Sequence, residues 1–217
     1  MKTSTKLALL ALGLGTAVSA RAYTYGDVMV GFTGGSTDFI YDLGPYTSLI
    51  SQSWNVGANL GTRFGAVGAT ALSGTLAQNI FATSSDPSES GYLQGANWSG
   101  AKANVQTIGT GLSLAGQSRT TTTSDTTGWH MQTDQPAGTP GNFFFNNYFN
   151  PNIAVGSTAY LFDNYPNSGG RSLIGMFTYD NAHGTLNFIA VPEPATTSLL
   201  AGFALLAFLV RRQFTRL

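Results

Sequence analysis

Asp38 and Asp42 lie on one face of DFIYDLG, a segment that reads as a short strand. Two carboxyls facing one sugar ring could serve as acid and base or nucleophile, which requires them to be about 5–9 Å apart. The plainer expectation is that both face solvent. His130 follows Trp129, and His183 stands three residues after Asp180. Zinc binding or catalysis by histidine needs convergent partners, and the spacing supplies none, so both read as turn or surface histidines. Ser99-Gly100-Ala101-Lys102 matches the S-x-x-K of penicillin-recognising serine enzymes. That motif needs a helix and two companions, S-D-N and K-T-G, which this chain lacks, so the match reads as chance. There is no G-x-S-x-G, H-E-x-x-H or P-loop, and Gly109-Thr110-Gly111 lacks a strand–glycine–helix context. Asp163-Asn164 and Asp180-Asn181 offer oxygen ligands without a D-x-D-x-D-G loop. A structural Ca²⁺ is the one cofactor these loops could take, and otherwise none is expected. No catalytic residue is assigned, and the chain is not expected to be an enzyme.

One segment could recognise rather than react. Phe143-Phe144-Phe145-Asn146-Asn147-Tyr148-Phe149-Asn150 places aromatic rings beside amides, a mixture that can stack on sugar rings and bond their hydroxyls. A core strand with alternating faces is the plainer reading. The alternative function that follows is a secreted carbohydrate-binding or carbohydrate-active domain, with extracellular polysaccharide as partner.

Short strands must position these residues. Asp27 to Phe32 and Asp38 to Leu43 flank a Gly34-Gly35 turn. Pro45 to Gln52 suits one or two helical turns. Trp54 to Leu60, Phe64 to Thr70, Gln78 to Thr83 and Thr158 to Phe162 read as further strands. Asn104 to Leu114 suits either a strand or a short helix, and Arg119 to Thr127 suits a loop or edge strand. Leu173 to Tyr179 and Thr185 to Ala190 form a hairpin around Asp180-Asn181-Ala182-His183-Gly184. The class expected is all-β, an antiparallel β-sandwich or jelly-roll-like ectodomain.

Composition agrees. Charged residues are 9% of the chain against about 25% in typical domains. Glycine and the small polar residues fill the gap, while 14 Phe, 9 Tyr and 3 Trp argue against disorder. Between Tyr23 and Glu193 stand four basic and ten acidic residues, a net charge of −6. Such a body would be repelled by a phosphate backbone, so nucleic acid is not an expected partner. With 0 Cys, thiolate zinc sites, cysteine nucleophiles and disulfide staples are excluded.

The two ends say where the chain goes. Lys2 and Lys6 precede an apolar run, Leu7 to Val18, and Ala20-Arg21-Ala22 is an A-x-A cleavage signal. Residues 1–22 are thus a signal peptide whose apolar run forms the N-terminal helix, with signal peptidase as partner. Residues 23–190 are the β-rich extracytoplasmic domain, and 191–217 a tail. In the tail, Pro192-Glu193-Pro194 precedes an uncharged stretch, 195–210, and a basic end, 211–217. As a helix, 17 uncharged residues from Pro194 to Val210 would reach about 26 Å, a short transmembrane span. Arg211, Arg212 and Arg216 would stop it and set its orientation, the positive end remaining cytoplasmic.

Taken together, these ends resemble bacterial proteins with a PEP-CTERM sorting signal. The resemblance rests on Pro192-Glu193-Pro194, the span that follows, the terminal arginines and the N-terminal signal peptide. Gly26 to Phe32, Asp38 to Gly44 and Ser172 to Val191 also look like the opening and last hairpin of such proteins. The resemblance implies that an exosortase, a membrane protease or transpeptidase, recognises Pro192, Glu193 and Pro194. It implies a protein held in membrane lipid by its C-terminal helix before processing, then displayed on the cell surface or in the extracellular matrix.

Overall fold

Strand β1 (Asp27–Thr33) is buried along its whole length, and this governs the architecture. Val28, Val30 and Phe32 point to one core, whereas Met29 points to another on the opposite face of the sheet. A computed structural model describes residues 26–70, 79–88, 95–110, 112, 117–133, 150–165 and 170–191. Its other strands are β2 (Thr37–Pro45), β3 (Gln52–Asn55), β4 (Arg63–Ala69), β5 (Ile80–Ser84), β6 (Ser118–Thr122), β7 (Ile153–Ala154), β8 (Ala159–Asn164), β9 (Arg171–Asp180) and β10 (Thr185–Ala190). A 3₁₀ turn, Tyr46–Ser48, and two helices, α1 (Gly95–Thr110) and α2 (Trp129–Thr133), complete the described elements.

All strand pairs among the described residues are antiparallel, as expected. The expected two-sheet sandwich is corrected, because the strands form one sheet in the order β3-β10-β9-β8-β5-β4-β1-β2-β6, with β7 joined to β4. That sheet is curled into a half-barrel. Phe32 on β1 and Tyr179 on β9 are separated by β4, β5 and β8. In a flat sheet, four strand spacings would hold them roughly 19 Å apart. Their ring centroids are 4.6 Å apart. Phe64, Phe81, Leu161, Phe177 and Phe188 fill the same concave core.

Helices take the place of the second sheet on the convex face. Ala101, Val105, Ile108 and the following Leu112 present one apolar stripe to Met29, Val67, Ile80 and Ala82. Trp129 of α2 is fully buried against β1. It lies flat on the backbone at Gly31, where a Cβ would collide with its indole. Its Nε1 donates to Asn152 Oδ1 at 2.6 Å, and Asn152 Nδ2 donates to Thr133 Oγ1 at 3.0 Å.

The register points both ends of the sheet's chain toward one end. Asp27 opens β1 opposite Pro45 at the end of β2, and Val28 stands opposite Gly68 near the end of β4. Ala69 pairs with Ile80, Ile80 with Asn164, and Asn164 with Arg171. Gly175, midway along β9, pairs with Ala190 at the end of β10, so β10 stops four residues short of the start of β9. The chain therefore enters the sheet at Asp27 and leaves it at Ala190 heading toward the same end, but from a position four residues inward along β9. The β9–β10 turn, Asn181–Gly184, lies at the other end, closed by Gly184 N donating to Asp180 O at 2.8 Å. Gly184 holds φ at +69°, a conformation that favours glycine.

Among the described residues no helix is long and apolar enough to cross a membrane. The signal region and the stretch 195–210 lie outside the described residues. The packing makes a quantitative prediction. Trp129→Ala should cost about 3–5 kcal/mol, the usual range for emptying a large aromatic site. Gly31→Ala should also destabilise, by about 1–3 kcal/mol, through overpacking. Equilibrium urea unfolding measures both, and wild-type stability in either variant would contradict this packing.

Candidate functional site

The acids that suggested chemistry are buried instead. Asp38, Ile40 and Asp42 share one buried face of β2, and Asp38 and Asp42 are 0% and 1% exposed. This corrects the expectation that they face solvent. Four residues along a strand separate their Cα atoms by roughly 13 Å, beyond the range of a glycosidase pair. Each carboxylate bonds to backbone. Asp38 Oδ2 accepts from His130 N at 2.6 Å, fixing the start of α2 to the sheet, and Asp42 Oδ1 accepts from Gly44 N at 2.7 Å.

The loop between β6 and α2 is tied down in the same manner. Arg119 donates through Nη1 to Thr127 Oγ1 at 2.9 Å and through Nη2 to Thr127 O at 2.8 Å. Asp125 Oδ1 accepts from Thr127 N and Oγ1, and these two bonds hold its carboxyl below the usual carboxylate range. Asp38 and Asp125 both act on the Arg119 guanidinium. His130 thus stands beside an acid, but through its backbone N–H. His183 is exposed in the β9–β10 turn, with Nδ1 at 2.7 Å from Asp180 Oδ2. That bond, with the amides of His183 and Ala182, lowers the Asp180 pKa.

Lys102 is buried on α1, and burial lowers its pKa. Ser99 belongs to the same helix. The two residues of the S-x-x-K match are therefore helical, as that motif requires. The aromatic run lies outside the described residues except for Asn150, whose Oδ1 accepts from Asn152 N at 2.9 Å.

Of the oxygen-bearing loops considered for Ca²⁺, one holds an unusual carboxylate. Asp163 is 8% exposed near the end of β8, and burial pushes its pKa up to about 6. Its Oδ2 accepts from Asn79 Nδ2 at 2.9 Å. Asp180 spends its oxygens on its own turn, through Ala182 N, His183 N and His183 Nδ1. Among the described residues no three His, Cys, Asp or Glu side chains gather as a metal site.

The last described bonds fix where the tail leaves. Ala190 N donates to Ser51 Oγ at 3.0 Å, and Val191 N donates to Ile174 O at 3.0 Å. The chain is thus held up to Val191 on a strand with neighbours on both sides, β3 and β9. Residues 190–213 match the family model of the PEP-CTERM protein-sorting motif. The chain carries a PEP-CTERM sorting motif. The match begins on the last residue of β10 and includes Pro192, Glu193, Pro194, Arg211 and Arg212. The motif implies an exported, extracellular protein with a membrane-anchored sorting signal that an exosortase processes. No curated protein and no solved structure matches the chain. Pro192 to Leu217, including Arg216, and the cleavage residues Ala20 and Ala22 lie outside the described residues.

Two variants test the buried acids. Asp38→Ala removes a buried carboxylate that accepts from His130 N and should cost about 1–3 kcal/mol in urea unfolding, the range for losing a hydrogen bond to a charged group. Asp163 has its pKa raised in the folded state, so the fold binds its proton more tightly than the unfolded chain does. Its effect on stability is therefore most favourable below about pH 4 and is lost as pH rises through about 6. Asp163→Asn should raise Tm relative to wild type at pH 7, and the difference should shrink as pH falls towards 4. A pH-independent difference would contradict the assignment.

Proposed function

We propose that this chain is a non-enzymatic surface or matrix protein, exported by residues 1–22 and delivered to an exosortase by 191–217. One observation carries the reading: the sorting-motif match at 190–213 starts where β10 ends. The body is then a folded cargo that reaches the membrane with its processing site held directly beneath it. The stretch 195–210 spans the bilayer, and Arg211, Arg212 and Arg216 remain on the cytoplasmic side. Signal peptidase acts at Ala20-Arg21-Ala22.

Support for a non-enzymatic body comes from how its acids are used. Asp38, Asp42, Asp125 and Asp180 all accept bonds from backbone amides of their own fold. These bonds stabilise loops and helix starts, which is structural work.

Replacement of Pro192, Glu193 and Pro194 by alanine tests the sorting claim in a host that encodes an exosortase. Wild type should appear at the surface or in the medium without its tail. The variant should remain in the membrane fraction at full length. Equal surface display of both would contradict the proposal.

A further inference from the structure

We propose that the sheet edge from which the tail emerges, β3 with β10, rests on the lipid surface while the tail is inserted, with Ile50 and Ile189 as its contacts. This rests on the reading of 195–210 as a membrane span. Among the described residues, Ile50 and Ile189 are the large hydrophobic side chains left exposed, at 65% and 53%. Scattered exposed apolar residues are ordinary, but these two flank one point. Ile189 precedes Ala190, whose N–H donates to Ser51 Oγ, and Ser51 follows Ile50. They therefore bracket the exit of the tail.

Chain length identifies the occupant. Four residues, Val191 to Pro194, separate Ala190 from the uncharged stretch beginning at Ala195. Fully extended, that connection spans at most about 18 Å, and as polyproline II about 16 Å. The polar headgroup layer takes up about 5–8 Å of it. The β3–β10 edge is thus tethered within about 10–13 Å of the headgroups, and because β3 is the edge strand, tilting the body toward that side swings the longer β9 away and brings Ile50 and Ile189 onto the interface. The acids at this end of the sheet do not oppose the approach. Asp27, Asp42 and Asp163 are buried, at 1%, 1% and 8% exposure.

The absence of cysteine allows a direct test. Full-length protein carrying Ile50→Cys, Ile189→Cys, Ala182→Cys or Leu206→Cys is labelled with a fluorophore. Each is reconstituted in phosphatidylethanolamine–phosphatidylglycerol vesicles containing a quencher attached at headgroup depth or in the acyl chains. Labels at 50 and 189 should lose most of their emission to the headgroup quencher, the label at 206 to the acyl-chain quencher, and the label at 182 to neither. Quenching at 206 with none at 50 and 189 overturns the edge contact and leaves the span standing. No quenching at 206 overturns both. Shielding of 50 and 189 only in membranes that contain an exosortase would assign the edge to that enzyme and overturn the lipid contact.

Discussion

The contact between Phe32 and Tyr179 is possible only because the sheet curls on itself, and the rest of the molecule follows from that curl. A flat sheet of these strands would leave Phe64, Phe81, Phe177 and Phe188 open to water on one face. Bending β1 towards β9 buries them together in the concave core. At about 25 cal/mol per Å² of apolar surface, burial of several aromatic rings is the dominant stabilising force available to a body without disulfides. The convex face needs a cover only over its middle. Helices α1 and α2 provide it, with Trp129 seated on Gly31.

The same antiparallel register fixes where the chain enters and leaves the sheet. Neighbouring strands alternate in direction, so the chain enters at Asp27 and leaves at Ala190 toward one end while the β9–β10 turn points to the other. Val191 is the final residue held by a described backbone bond, and the sorting motif begins beside it.

Legibility in the sequence followed the range of the forces involved. The last hairpin was plain, because alternation in β10 and a glycine-closed turn are local signals. The sorting tail was plain for the same reason, since charge, apolarity and proline are written in consecutive residues. The single curled sheet was not legible: strand spacing alone does not distinguish two stacked sheets from one bent sheet. Helix α1 was seen only in part, because Gly95 to Thr110 is rich in small polar residues and its apolar stripe is narrow. The burial of Asp38, Asp42 and Asp163 was hidden because the groups that enclose them come from distant strands and helices. Ile50 and Ile189 are 139 residues apart in sequence, and only the pairing of β3 with β10 brings them together.

If the tail is a processing signal on an exported body, mature protein should lack it. Intact-mass measurement of the protein recovered from the surface of an exosortase-bearing cell should then give a chain that starts near Tyr23 and ends close to Pro192-Glu193-Pro194, with the uncharged stretch and the arginines removed. Recovery of surface protein that still carries Arg211, Arg212 and Arg216 would contradict it.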